Sequence, residues 1–289
     1  MNFCEKLQTG KFIVTTEIGP PKGIETGYLL EEVALIRGRV DAISVTDLQS
    51  SVMRLGALAV CILLKQNHLE PIYQLTCRDR NRLALQSDLL SAAVFGIENL
   101  LIATGDHPAI GDHPDAKPVF DLDSVQLLEA IKGLQKGTDM KGNQLVGKAP
   151  CFCPGAVVNP NTQPLEPEII KMEKKISAGA QFFMTQAVYN VNIFEKFLRK
   201  TRHLKIPIFA GIVMLKSSAM ASYMNENVPG IFVPDSLIKE MQDAQDKQKQ
   251  SIVIASRLIK EFKSMCQGVH VMPIGWNRFL PQVLDASGL

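Results

Sequence analysis

Phe12-Ile13-Val14-Thr15-Thr16-Glu17 is a short apolar run closed by a carboxylate, and Gly19-Pro20-Pro21-Lys22-Gly23 then breaks the chain before a helical pattern begins. Strand, loop, helix is the unit, and it recurs. Strand-like Val40 to Val45 precedes a helix around Arg54 to Gln66, Pro71 to Thr76 precedes one from Asn81 to Phe95, and Asn99 to Ala103 precedes one near Ser124 to Lys136. In the second half, apolar runs at Phe152 to Val158, Phe182 to Met184, Ile206 to Val213 and Val269 to Met272 alternate with helical stretches. These lie around Glu166 to Ala178, Ile193 to Arg202, Ser217 to Glu226 and Asp235 to Met265. Within the last, Gln242-Asp243-Ala244-Gln245-Asp246-Lys247-Gln248-Lys249 reads as the solvated face of one long helix.

Eight strands alternating with helices, without hairpin turns, predict parallel pairing through helical crossovers, and eight units close a barrel. The expected fold is α/β, a (β/α)8 TIM barrel forming a single domain over residues 1–289. A doubly wound open sheet is the competing arrangement.

Composition agrees with one large aliphatic core, since 46% of residues are hydrophobic and only 6% aromatic. With 31 basic against 29 acidic side chains, the chain lacks the dense positive surface of a nucleic-acid binder. Apolar runs such as Leu55 to Leu64 are half the length of a bilayer span, and Met1-Asn2-Phe3-Cys4-Glu5-Lys6 carries no signal-peptide core. No membrane insertion and a cytoplasmic location are expected. The six cysteines, at 4, 61, 77, 151, 153 and 266, sit largely in apolar runs and predict no disulfide framework. Cys151-Phe152-Cys153 would place two thiols on one face of a strand, but nothing nearby completes a tetrahedral zinc set, so no metal site is expected.

A barrel builds its active site at the carboxyl ends of its strands, so the residues following each apolar run are the candidates. They are Glu17, Thr46 with Asp47, Thr76 to Arg80, Thr104-Gly105-Asp106, Asn159 and Gln163, Thr185 with Gln186, Lys216 with Ser217, and Trp276 to Arg278. Loop polarity alone accounts for any one of them. Glu17 and Asp106, on different strands with few competing acids, suit a site where one carboxyl supplies a proton and the other fixes charge. Neither G-x-G-x-x-G nor G-x-x-x-x-G-K-[ST] occurs, so any cofactor binds through barrel loops. His107 and His113 each precede proline after aspartate and read as turns rather than a metal pair. Trp276 reads as packing for the last helix.

Six collinear segments carry a resemblance: Thr16-Glu17 with Gly19-Pro20-Pro21-Lys22-Gly23; Val45-Thr46-Asp47; Leu75-Thr76-Cys77-Arg78-Asp79-Arg80-Asn81-Arg82; Ala103-Thr104-Gly105-Asp106; Ala178-Gly179-Ala180; and Thr185-Gln186. Together they resemble methylenetetrahydrofolate reductases over roughly residues 11 to 287. Lys117 to Asp123 and Pro154 to Pro160 look like the branch found in acetogenic and other anaerobic bacteria, which often works beside a zinc-containing partner subunit. The resemblance implies a noncovalent flavin, FAD or FMN, across the strand ends, and one-carbon chemistry of methionine biosynthesis or the acetyl-CoA pathway.

By that resemblance Glu17 is the general acid that opens the folate's imidazolidine ring, and Asp106 contacts the pterin and tunes the flavin. Gln186 hydrogen-bonds the pterin, while Thr46, Thr104, Gly105 and Lys175 hold the flavin. Arg78 belongs to the cofactor-facing segment, and Arg278 meets the folate's glutamate tail. Gln74 stands where many members carry histidine, and Asn159 and Gln163 stand where a tyrosine and a histidine usually contact FAD, which leaves FAD and FMN both open. Met220 replaces a common folate-binding glutamine, and Met224 replaces a stacking aromatic. The electron donor is therefore either NAD(P)H or a redox partner protein, and homo-oligomer formation stays open. A flavin-free folate-binding methyltransferase and a non-catalytic barrel subunit of a redox complex are the alternative readings.

Overall fold

The computed structural model describes residues 1–289. Its strands are β1 (Ile13–Ile18), β2 (Ala42–Val45), β3 (Pro71–Thr76), β4 (Asn99–Ala103), β5 (Cys153–Val158), β6 (Phe182–Ala187), β7 (Ile208–Val213) and β8 (Gly268–Met272). They pair in chain order, all parallel, and β8 returns to β1 with Thr15 opposite His270. That closure makes the sheet a (β/α)8 barrel and excludes the open sheet. The helices are α1 (Phe3–Gln8), α2 (Gly27–Ala34), α3 (Ala57–Gln66), α4 (Arg82–Val94), α5 (Ser124–Gln135), α6 (Glu166–Ser177), α7 (Val191–Thr201), α8 (Ser218–Asn227), α9 (Asp235–Asp243), α10 (Lys247–Lys263) and α11 (Leu280–Ser287). None is long and apolar enough to cross a membrane.

Period-2 alternation divides each strand between two cores. In β1, Val14 and Ile18 join the large apolar layer between sheet and helices, while Ile13, Thr15 and Glu17 face the barrel interior. The interior is filled from below. Helix α1, started by a reciprocal cap between Asn2 and Glu5, inserts Phe3 edge-on against Phe182 at 5.4 Å and Phe209 at 6.2 Å. Gly155 pairs with Phe182 across β5 and β6, and a Cβ at 155 would overlap that ring. The glycine is what lets a phenylalanine lie across the floor. With the floor packed, the barrel interior opens at the carboxyl ends.

Three expectations need correction. The stretch Asp235 to Met265 is two helices, α9 and α10. Ala244 turns extended, Asp246 accepts the Lys249 amide as an N-cap, and Lys247 Nζ donates to the carbonyl oxygens of Met241, Gln242 and Ala244. A capping aspartate beside a lysine that satisfies the preceding helix end outweighs continued helix. Strand β6 runs on to Ala187, so Thr185 and Gln186 lie within it rather than after it. The Thr185 hydroxyl accepts the Gly211 amide at 2.9 Å, replacing a ladder bond where the register shifts. Cys151 is exposed ahead of β5 and only Cys153 is buried in it, so the two thiols do not share a strand face.

Candidate active site

The carboxyl ends surround a cavity of about 430 Å³, within the range of small-molecule and cofactor sites. Glu17, Gln74, Arg78, Thr104, Gly105, Asp106, Asn159, Lys175 and Gln186 all line it. Residues from five different strand ends, with Lys175 from α6, thus converge, as the barrel rule anticipates. Thr46, Gln163, Met220 and Arg278 do not line it. Gln163 is exposed in the loop after β5, and Arg278 is exposed with its guanidinium 4.8 Å from the Phe279 ring. Met220 is half-buried on α8, its sulfur accepting the Lys216 amide, near where Lys216 lies over Trp276. Trp276 also packs edge-on against Phe279.

Glu17 sits deepest among the carboxylates expected to act, 8% exposed, with Oε2 3.7 Å from His270 Nε2. His270 receives no functional reading in the sequence, yet it lines the cavity with Met272 two residues on. Strand alternation in Gly268–Met272 was the available signal: whichever face carries Met272 also carries His270. Asp106 is an exposed rim carboxylate whose backbone oxygen accepts from Arg78 Nη1 and Ser51 Oγ. Arg78 itself is almost wholly buried, pairing with Asp79 and donating to the Leu48 carbonyl oxygen. Its guanidinium is therefore spent on tying the loops after β2, β3 and β4 together.

Asp47 is the most deeply anchored carboxylate. Burial alone would raise its pKa, but the two-pronged Arg80 pair at 2.8 and 2.9 Å and the Thr76 amide and hydroxyl outweigh burial and hold it below the usual range. Gln74 donates to Ser44 Oγ across the barrel wall. On the other side, Lys175 is 2% exposed and donates to the Val157 carbonyl oxygen at 2.6 Å. Burial first, and the neighbouring Lys171 second, pull its pKa down to about 8.

Several of these features suit a planar, partly anionic cofactor. Leu101, Val157 and Met184 give an apolar wall, Gly105 presents bare backbone at φ +91°, and Lys171 and Lys175 supply cations. The Thr46 hydroxyl, buried beside Gly19, has no hydrogen-bond partner within the protein. No group of three or more His, Cys, Asp or Glu side chains is placed to hold a metal ion.

The barrel is similar to solved structures. One is a protein from Clostridium thermocellum that binds two copies of 5-methyl-5,6,7,8-tetrahydrofolic acid, with TM-score 0.64, 16% identity, and coverage of 98% of this chain and 97% of that one. Another is EDTA monooxygenase from Chelativorans sp. BNC1, with TM-score 0.56, 10% identity, and coverage of 96% and 94%. At such identities the likeness is one of fold. Two curated relatives from Schizosaccharomyces pombe are nearer in sequence. Methylenetetrahydrofolate reductase 2 is 25% identical over 78% of this chain, and methylenetetrahydrofolate reductase 1 is 23% identical over 74%. The matches span only 37% and 35% of those proteins' own lengths. The model of the methylenetetrahydrofolate reductase family matches residues 2–288, nearly the whole chain, and this protein therefore belongs to that family.

Proposed function

We propose that this chain is a flavin-dependent 5,10-methylenetetrahydrofolate reductase that yields 5-methyltetrahydrofolate, with Glu17 as its general acid. The observation that carries the reading is a nearly buried carboxyl at the base of a cavity whose opposite wall offers apolar surface, bare glycine backbone and two lysines. A bound flavin supplies the hydride. Thr104, Gly105 and Lys175 would hold it, with Gln74, Arg78 and Asn159 bordering the same space and Thr46 outside it. The glycine at 105 and the Lys171 and Lys175 ammonium groups in the cavity wall suit such a group.

Glu17 gives its proton to N10 of the folate, the N10–methylene bond breaks, and the one-carbon unit becomes an iminium on N5. The hydride adds to that carbon, so one proton and one hydride account for the change from methylene to methyl. Asp106 and Gln186 border the pterin. A general acid in this position is worth on the order of a hundredfold or more in rate.

Met224, where a stacking aromatic would serve nicotinamide, is turned into the apolar core against α8's neighbours. This supports delivery of electrons by a partner protein over direct reaction with NAD(P)H. The first experiment is the visible spectrum of the purified chain, with any released chromophore identified by mass. Oxidised-flavin bands with FMN or FAD released support the reading. A colourless protein that takes up neither cofactor overturns it in favour of a flavin-free folate barrel.

A further inference from the structure

Glu17 has a buried neighbour that the reaction as written does not use. His270 is 3% exposed and Thr15 fully buried, so neither side chain exchanges partners freely with water. Thr15 Oγ1 lies 3.2 Å from the Val269 carbonyl oxygen and 3.0 Å from His270 Nδ1. A hydroxyl has one hydrogen, and a carbonyl oxygen can only accept. A hydroxyl that donates to Val269 is free to accept from Nδ1–H. In that arrangement Nδ1 carries the hydrogen and the Nε2 lone pair points toward Glu17 Oε2 at 3.7 Å.

We infer that His270 is a positioning residue for Glu17, locked by Thr15 so that a single proton lies between Nε2 and the Glu17 carboxyl. This deepens the proposed role of Glu17 and rests on it. A lone pair on Nε2 facing a carboxylate oxygen is repulsive, and a proton between the two atoms turns that repulsion into a hydrogen bond. A small side-chain rotation brings 3.7 Å to hydrogen-bond length, and unliganded catalytic contacts often tighten in this way when substrate binds. When N10 takes the proton, the O–H bond at Glu17 breaks and an N–H bond forms on the folate. The pair is left one proton short until solvent replaces it.

The arrangement depends on β1 and β8 being neighbours, because Thr15 and His270 are register partners and Glu17 stands one inward position further along β1. Thr15 thus reaches the acid only through the imidazole, yet sets the orientation of the ring that faces it.

The test is the nitrogen NMR of the full chain labelled at histidine. Of the five histidines, 68, 107, 113 and 203 are exposed, and His270→Gln identifies the remaining signal by its loss. Protonated Nδ1 at His270, in the neutral or the doubly protonated ring, supports the inference. A bare Nδ1 overturns it. Thr15→Val removes the hydroxyl at nearly constant volume and moves the ring toward the Nε2–H tautomer, while Thr15→Ser restores the Nδ1–H signature. An unchanged ring in Thr15→Val also overturns the inference. Should the chain prove not to reduce methylene-folate, these spectra still decide the question, so the two proposals fail separately. With activity present, Thr15→Val lowers kcat on the order of tenfold with KM little changed, because a misaimed acid acts only in the transition state.

Discussion

Glu17 Oε2 and His270 Nε2 stand 3.7 Å apart across the seam where β1 meets β8, the one strand pairing that joins the two ends of the chain. Both side chains face inward just above the Phe3, Phe182 and Phe209 floor. The packed floor denies them water from below, so the acid opens only onto the cavity.

Replacing that acid separates chemistry from assembly. Glu17→Gln keeps the shape and burial of the side chain but removes its transferable proton. The variant is expected to bind flavin as the parent does and to oxidise pre-reduced flavin with methylene-folate slower by about 10²- to 10⁴-fold. Anaerobic stopped-flow measurement of flavin reoxidation reads this directly, and an undiminished rate removes Glu17 from the mechanism.

Lys175 predicts a pH dependence of cofactor binding. Its pKa is drawn down to about 8 by burial and by Lys171, so the ammonium charge fades as pH passes that value. Flavin affinity, followed by fluorescence quenching, is expected to fall from about pH 7 to about pH 9, and Lys175→Met to flatten the profile. The linkage to stability has the opposite sense. Burying the charged amine costs stability below about pH 8, and the cost fades as pH rises toward the ordinary 10.5.

Asp47 ties β2 to the loop after β3. Asp47→Asn removes the two-pronged partner of the largely buried Arg80 and leaves it the single Asp88 contact, and a loss of about 1–3 kcal/mol in urea unfolding is expected. Because the Asp47 pKa is depressed in the folded protein, its contribution is present above the ordinary 3.8 and is lost as pH falls through the lower folded value. The parent and the variant are thus expected to converge in stability toward strongly acidic pH.

Gly155→Ala tests the floor. A methyl there meets the Phe182 ring, which is held in turn by Phe3 and Phe209. Overpacking of about 1–3 kcal/mol is expected, visible as a lowered denaturation midpoint. Phe182→Leu in the same chain is expected to recover part of that loss.

The repeating units were legible because short apolar runs and helical periods alternate so regularly between Phe12 and Met272. Boundaries were less so where side chains compete with backbone. Asp246 and Lys247 end one helix and begin another through capping bonds that periodicity does not register. Thr185 takes a ladder amide for itself and carries β6 beyond its apolar run. Of the site residues that the resemblance assigned next to strand ends, all but Thr46 reached the cavity, and Lys175 reached it from α6, whereas Gln163, Met220 and Arg278, further from their strands, did not. Short connections inherit position from the strand, and longer ones do not.

The sequence by itself determined that eight inward faces would each carry particular side chains, because alternation along a strand is a local property of the extended backbone. It also carried the family, through motifs that survive in order. Which inward residues meet was decided only by the tertiary structure. Thr15 and His270 are 255 residues apart, and nothing local couples them. Barrel closure sets the register of β8 on β1, and that register puts an imidazole nitrogen in front of the Glu17 carboxyl.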